Sequence, residues 1–142
     1  MGKAIIVYWS GTGNTETMAE KIYEGMQEKY EDVKLKLVSE VTAEEVLTYD
    51  KIALGCPSMG LEELESDEFE PFFEDLVEGL GNKHVALFGS YGWGEAEWMD
   101  IWEEDVLEAN GILFERGLTI ESTPSTEEED LCFEFGKRFA NK

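Results

Sequence analysis

The sequence predicts an α/β fold in which a five-stranded parallel sheet carries helices on both faces. Along the 142 residues, apolar runs of strand length alternate with longer stretches of helical periodicity. Such alternation is typical of parallel sheets whose strands are joined by right-handed helical crossovers. Hydrophobic residues make up 42% of the chain, which is enough material for one core. We therefore expect a single domain over residues 1–142.

The strands differ in how far they are expected to be buried. Residues 4–9 and 84–88 are continuous apolar runs, as in central parallel strands covered on both faces, and residues 52–55 follow the same pattern. Residues 33–37 alternate apolar residues with lysine, which predicts an edge strand with one wet face. A weaker last strand is predicted near residues 117–121.

Amphipathic stretches supply the predicted helices. Apolar residues recur at helical spacing, with acidic residues on the opposite side of the stretch, so each stretch has one face for the core and one for solvent. These stripes lie within residues 18–26, 69–80, 98–106 and 132–139.

The composition is strongly acidic, with 33 Asp and Glu against 11 Lys and Arg and a formal charge of −22. Such a surface repels phosphate backbones and anionic headgroups, so nucleic acid and membranes are not expected as partners, whereas a basic protein would be attracted. No apolar run approaches the ~20 residues of a membrane span, and no secretory signal is recognisable at the start. We expect a cytoplasmic monomer. Cys56, Cys132 and the single His84 form neither a disulfide framework nor a metal site.

Ligands of open parallel sheets bind beyond the C-terminal ends of the strands, so the loops after the three central strands are the expected site. The first loop consists of Ser10, Gly11, Thr12, Gly13, Asn14 and Thr15. Its hydroxyls, amide and glycines stand before a helix and predict a cradle for a phosphate monoester. The alternative is a capped helix start after a glycine turn. The lysine of a triphosphate-binding loop is absent.

The other two loops predict a slot for a flat heterocycle. The third loop covers residues 89–95, with the candidate contacts Ser90, Tyr91, Gly92, Trp93 and Gly94. The middle loop covers residues 56–62, with the candidate contacts Pro57, Ser58, Met59, Gly60, Leu61 and Glu62. Tyr91 and Trp93 would stack on a planar ring, unless they pack beneath the following helix. Met59 offers a soft apolar side chain beside a glycine that tolerates positive φ.

These three loops resemble those of the short-chain flavodoxins, small acidic FMN proteins that carry single electrons. The resemblance rests on Thr12-Gly13-Asn14-Thr15, Met59-Gly60 and Tyr91-Gly92-Trp93-Gly94, in that order at successive strand ends. It covers essentially the whole chain. It implies a doubly wound five-stranded sheet in the order 2-1-3-4-5. Leu61 departs from the polar residues familiar after this glycine.

The resemblance also implies how FMN is held. It places the phosphate on the first loop and the flavin ring between the other two loops, with a hydrogen bond from the ring N3–H to a carboxylate. The implied contacts are Ser10, Thr12, Asn14 and Thr15 with the phosphate, Met59 with the inner ring face, Trp93 with the outer face, Glu62 with N3–H, and the N–H groups of Gly92 and Trp93 with the pyrimidine edge.

The resemblance implies a low-potential one-electron carrier, not an enzyme, that shuttles between semiquinone and hydroquinone to serve partner enzymes. A pocket with carboxylates and no cation does not stabilise an anionic hydroquinone, so the second potential is expected to be low. Acidic stretches at residues 62–68 and 95–105 would steer a basic redox partner to the flavin edge. The alternative for these carboxylates is a solvated or salt-adapted surface.

Rival functions need features that this sequence lacks or does not reveal. An FMN-dependent reductase needs a second site for a nicotinamide dinucleotide, and none of the three loops contains Arg or Lys. A receiver-like signalling module needs an acidic cluster after the first strand, where Trp9 and Ser10 stand. A flavoprotein that activates a radical enzyme stays open.

Overall fold

A parallel sheet flanked by helices forms the frame of the molecule. The computed structural model describes residues 3–30, 32–60 and 62–142. The strands are β1 (Ala4–Tyr8), β2 (Val33–Leu37), β3 (Lys51–Gly55), β4 (His84–Tyr91), β5 (Ile112–Leu113) and β6 (Leu118–Glu121). The helices are α1 (Asn14–Gln27), α2 (Ala43–Val46), α3 (Phe69–Val77), α4 (Glu97–Glu108) and α5 (Thr126–Ala140), with a 3-10 turn at Val38–Glu40.

The order of the strands is β2-β1-β3-β4-β5, with β6 also paired to β4, and every pair is parallel. The predicted doubly wound order is therefore confirmed. Every residue of β1 and β3 is buried, as their continuous apolar runs predict. In β2 the exposed side chains of Lys34 and Leu37 mark the predicted edge.

The fifth strand differs from the prediction of one strand near residues 117–121. Two short segments, β5 and β6, pair with β4 instead, and residues 114–117 separate them. Side-chain contacts account for the interruption: the Phe114 ring packs on Phe135 and Phe139 at centroid distances of 5.3 and 5.2 Å, while Arg116 pairs with Asp100 at 2.9 Å. The pairing with β6 also extends β4 through Ser90 and Tyr91, which the sequence places in a loop.

Two apolar cores lie on the two faces of the sheet. On one face, α1 and α5 cover the sheet with side chains such as Met18, Ile22 and Phe139. On the other face, α3 and α4 contribute Phe69, Trp102 and their neighbours. A sheet covered on both faces in this way presents its ligand site at the C-terminal ends of its strands.

Helices α1 and α5 approach each other so closely that glycine is required in both. A Cβ atom added to Gly25 would collide with the main-chain oxygen of Phe133, and one added to Gly136 would collide with the oxygen of Ile22. The two helix backbones therefore touch at this crossing.

We expect Gly25→Ala to lower the free energy of unfolding by about 1–3 kcal/mol, because the added methyl group overpacks a backbone contact. This occurs although alanine is the better helix former. Urea unfolding followed by circular dichroism measures the change. Gly81→Ala is the matched control, since its Cβ would meet no atom closer than 3.7 Å. Equal stability of the two variants would contradict the close crossing.

Candidate functional site

A cavity of about 270 Å³ lies where β1, β3 and β4 end. Its size is close to the lower end of the ~300–1,000 Å³ typical of small-molecule pockets. Residues of all three predicted loops line it: Trp9, Gly11, Thr12, Asn14, Pro57, Ser58, Met59, Ser90, Tyr91 and Gly92, together with Ser122. A larger, more open groove of about 850 Å³ lies away from these strand ends, between α3 and α4.

The first loop is shaped by Ser10. Its Oγ accepts hydrogen bonds from the N–H groups of Gly13 at 3.1 Å and Glu16 at 3.3 Å. Gly13 has a φ of 96°, in the left-handed region that favours glycine. Asn14 and Thr15 begin α1, and the first N–H groups of a helix have no acceptor within the helix. The loop thus presents main-chain donors at the positive end of a helix dipole.

A buried pair of hydroxyls ties the first loop to the third. The hydroxyls of Thr15 and Ser90 share a hydrogen bond of 2.8 Å, and the N–H of Ser90 donates to Thr15 Oγ1 at 3.4 Å. Thr15 is only 1% exposed, so its side chain faces the third loop and not the cavity. Nearby, the hydroxyl of Thr123 donates to Asn14 Oδ1 at 3.2 Å, which leaves the Asn14 amide group free to donate.

The middle loop is closed by two main-chain hydrogen bonds. The N–H of Met59 donates to the oxygen of Glu63 at 2.8 Å, and the N–H of Glu63 donates to the oxygen of Met59 at 2.9 Å. Gly60 has a φ of 49° and Glu62 a φ of 56°. Leu61, which the sequence places in this turn, lies outside the described residues. The Met59 side chain lies at the rim of the cavity, 38% exposed.

Glu62 joins the middle loop to the third loop. Its Oε1 accepts the N–H of Glu97, the first residue of α4, at 2.6 Å. A carboxylate at this position is favourable because a helix N-terminus is electropositive. The carboxylate also lies against Gly94, where an added Cβ would come within 2.8 Å of its oxygen. In this arrangement the side chain is outside the cavity lining.

The two aromatic residues of the third loop have different surroundings. Tyr91 lines the cavity, and its ring packs on Trp98 at a centroid distance of 5.8 Å. Trp93 is 57% exposed and does not line the cavity. Of the predicted set, the side chains or backbones outside the lining are therefore those of Ser10, Gly13, Thr15, Gly60, Glu62, Trp93 and Gly94.

Sequence analysis did not single out two residues that line the cavity. The Trp9 ring lies 2.9 Å from the place of a Cβ on Gly11, and its indole N–H donates to Glu68 Oε1 at 3.1 Å. Ser122 follows β6, and its N–H donates to the oxygen of Tyr91 at 2.8 Å. Trp9 directly follows β1, so the rule that selects strand ends could have found it.

The family model described as Flavodoxin matches residues 6–136 of this chain. The chain belongs to the flavodoxin family. It is 48% identical to a flavodoxin of Clostridium beijerinckii over 96% of this chain and 98% of that protein. It is 42% identical to a flavodoxin of Megasphaera elsdenii over 95% of this chain and 96% of that protein.

Solved structures agree with this membership. The solution structure of two-electron reduced Megasphaera elsdenii flavodoxin matches with a TM-score of 0.86, covering 98% of this chain and 99% of that one. A flavodoxin from the domain Archaea, 30% identical, matches with a TM-score of 0.89 over 98% of this chain and 96% of that one. As a member of this family, the protein is an FMN-binding electron-transfer protein and not an enzyme.

The donor set of the cavity fits FMN. Thr12, Asn14 and the start of α1 offer hydroxyl, amide and main-chain donors, which suit a phosphate. Met59 and Tyr91, from the other two loops, suit the faces of a flat ring. When bound, FMN supplies a ring that takes up and releases electrons, and the protein supplies its position and electrostatic surroundings.

The buried acidic and thiol groups of the protein are structural. Cys56 follows β3, and burial raises the pKa of its thiol to about 12. Burial alone would raise the pKa of Glu65, but hydrogen bonds from the N–H groups of Phe69, Glu68 and Asp67 hold it below its usual value.

Within the described ranges, His, Cys, Asp and Glu side chains form no group suited to a metal ion. Among the helices that the structure describes, none is long and apolar enough to cross a membrane.

Tyr8, at the end of β1, should titrate late. Burial and the hydrogen bond from its hydroxyl to Glu16 Oε2, at 3.1 Å, raise its pKa to about 12. Because the folded-state pKa exceeds the ordinary value of 10.0, this group's contribution to stability is complete below pH 10 and is lost as the pH rises through about 12. Ultraviolet absorbance of the phenolate, recorded as the pH is raised, measures the pKa of Tyr8. The same titration of Tyr8→Phe identifies the step that belongs to this residue. A difference between the two proteins that appears at ordinary tyrosine pKa would contradict the prediction.

Proposed function

We propose that FMN occupies the cavity at the strand ends and makes the protein a low-potential one-electron carrier for basic-surfaced redox proteins. One observation carries this proposal: the cavity lining combines hydroxyl and amide donors of the first loop with Met59 and Tyr91 of the other two loops, and it contains no described Lys or Arg.

The first loop would hold the phosphate. Thr12 and Asn14 line the cavity. The main-chain N–H groups at the start of α1 stand at the positive end of the helix dipole, where an anion is favoured. The Ser10 hydroxyl uses its oxygen to accept two N–H groups, so it would donate its own proton to the phosphate. Thr15 would contribute its N–H, since its hydroxyl is engaged with Ser90.

The middle and third loops would hold the ring. Met59, Tyr91 and Gly92 line the cavity, and the N–H groups of Gly92 and Trp93 would reach the pyrimidine edge of the ring. Trp93 is exposed on the third loop and would turn onto the outer ring face. Glu62 would exchange the N–H of Glu97 for the ring N3–H. We also include Pro57, Ser58 and Leu61 of the middle loop among the residues that would contact FMN.

The electrostatics of the cavity support a low value for the lower of its two one-electron couples. Adding the second electron places negative charge on the ring, and Coulomb repulsion from nearby carboxylates makes that step unfavourable. The segment after β3 carries Glu62, Glu63 and Glu68. Glu68 accepts a hydrogen bond from the indole N–H of Trp9, which lines the cavity.

The proposal also covers the oligomeric state, the cellular compartment and the number of domains. Self-repulsion at a net charge of −22 favours a monomer. Two buried free thiols, Cys56 and Cys132, suit a reducing compartment such as the cytoplasm. A single sheet with a core on each face supports one domain over residues 1–142.

Electron transfer to a basic acceptor should slow by at least about tenfold as salt rises from low to above physiological ionic strength, because exposed charges are screened beyond ~8 Å already at physiological ionic strength. Stopped-flow reduction of a basic c-type cytochrome by the reduced, FMN-loaded protein measures the rate. A neutral quinone serves as the control acceptor and should be almost unaffected. Equal salt dependence with both acceptors would mean that the carboxylates serve solubility and do not steer the partner.

A further inference from the structure

A hydrogen bond joins the lining of the cavity at the strand ends to the segment before α3. The indole N–H of Trp9 donates to Glu68 Oε1 at 3.1 Å, although 59 positions separate the two residues in the sequence. Trp9 lines the cavity, whereas Glu68 is exposed outside it and directly precedes α3. The contact therefore connects a wall of the cavity to a carboxylate that does not itself reach the ligand.

The far edge of the Trp9 ring lies on the first loop. Its Cη2 and Cζ3 atoms are 2.9 and 3.2 Å from the place of a Cβ on Gly11, which also lines the cavity. The backbone of Gly11 is not in the left-handed region, so the ring, and not the backbone conformation, excludes a larger residue there. The indole thus spans the distance between the first loop and the carboxylate of Glu68.

Main-chain hydrogen bonds fix the backbone at both ends of this contact. The N–H of Trp9 donates to the oxygen of Gly55, the last residue of β3, at 3.0 Å. The N–H of Glu68 donates at 2.8 Å to Oε1 of Glu65, a carboxylate that is only 5% exposed. What stays adjustable is the rotation of the indole about its side-chain bonds. The hydrogen bond to Glu68 selects one of these orientations.

We propose that Glu68 is a positioning residue for FMN that acts through Trp9. Its carboxylate holds the indole in the orientation that forms the cavity wall and covers Gly11. Without this acceptor the ring would sample other rotamers, and FMN binding would have to restrict them again at a cost in side-chain conformational entropy. The inference rests on the proposed function, because it requires FMN in this cavity.

The charge of Glu68 alone leads to the opposite expectation. A carboxylate near the cavity repels the phosphate of FMN, so removing the charge would leave FMN binding unchanged or make it tighter. Loss of the positioning role makes binding weaker. Because the hydrogen bond is exposed, water competes for both of its groups, and the expected loss is moderate.

The first test is titration of the apoprotein with FMN. Glu68→Ala removes the acceptor and should weaken binding about three- to tenfold. Glu68→Gln keeps a side-chain oxygen that accepts the indole N–H, so we expect it to bind FMN within about twofold of the parent protein. Asp67→Asn is the matched control for charge, since Asp67 enters the described hydrogen bonds through its N–H alone. Its effect should also stay within about twofold.

The second test asks whether the effect passes through the indole. Trp9→Phe removes the N–H and the outer part of the ring, so adding Glu68→Ala to it should change FMN binding less than about twofold further. Nuclear magnetic resonance of the ¹⁵N-labelled, FMN-free protein reports the indole N–H signal of Trp9, assigned with Trp9→Phe. We expect this signal to shift more in Glu68→Ala than in Glu68→Gln or Asp67→Asn.

Three results would overturn the inference. They are unchanged or tighter FMN binding by Glu68→Ala, binding by Glu68→Gln as weak as that of Glu68→Ala, and an undiminished effect of Glu68→Ala in the Trp9→Phe protein. A parent protein that takes up no FMN would count against the proposed function. A parent that binds FMN, with a Glu68→Ala variant that binds it equally well, counts against the positioning role alone.

Discussion

The apoprotein should bind FMN at least about a hundredfold more tightly than riboflavin, which lacks the phosphate. Hydrogen bonds to charged groups contribute roughly 1.5–3 kcal/mol each, and every 1.4 kcal/mol is about tenfold in affinity, so two such bonds suffice. Thr12 and Asn14 are the side chains of the first loop that line the cavity. Thr12→Ala and Asn14→Ala should each weaken FMN binding about 10–100-fold and leave riboflavin binding unchanged.

Titration calorimetry of the apoprotein with both flavins measures these affinities. Thr48→Ala is a suitable control, because the Thr48 hydroxyl donates only to the nearby oxygen of Glu45, at 2.7 Å, on a segment away from the cavity. Equal affinities for FMN and riboflavin would mean that the first loop only caps α1.

Lys51→Met should lower the free energy of unfolding by about 2–4 kcal/mol, the largest stability effect that we expect from a single substitution. Lys51 begins β3 and is only 4% exposed. Its Nζ donates to the main-chain oxygens of Phe139 at 3.0 Å and Ala140 at 2.9 Å, and also to that of Lys142. The first two belong to the last turn of α5, where carbonyl groups have no partner within the helix, although the Phe139 oxygen also accepts the N–H of Lys142 at 3.2 Å. Methionine fills the space but removes the Nζ donor from all three oxygens.

Denaturant unfolding of the FMN-free protein measures this effect. Lys34→Met is the control, because the Lys34 side chain on edge strand β2 is half exposed and pairs only with Asp32 at 3.4 Å. We expect that control to stay within ~0.5 kcal/mol of the parent protein. A Lys51→Met variant as stable as the parent would show that burying the ammonium costs as much as its hydrogen bonds return.

The fold was predictable where burial is written continuously into the sequence. The apolar runs of β1, β3 and β4 and the lysine alternation of β2 identify central and edge strands without reference to anything distant. The divided fifth strand was not predictable, because its interruption depends on partners far along the chain. Phe114 turns toward α5, and Arg116 reaches Asp100 of α4.

The candidate site shows the same division. The strand-end rule selects the loops that supply most of the lining of the cavity. The positions of individual side chains depend on tertiary contacts that no local pattern contains. Glu62 turns to the N–H of Glu97, Thr15 faces Ser90, and Trp9 enters the lining over Gly11. Local sequence therefore predicts which loops form the site better than it predicts which side chains face the ligand.

Titration of the apoprotein with FMN, followed by flavin fluorescence, measures whether the cavity at the strand ends binds the flavin. We expect uptake of one FMN per chain, with the flavin fluorescence quenched by the aromatic side chains at the cavity, Tyr91 and Trp9. We also expect the loaded protein to accept electrons from a chemical reductant but not to be reduced rapidly by NADH or NADPH alone. Failure to take up FMN would contradict the account, and rapid reduction by either nicotinamide would replace the electron carrier with a reductase.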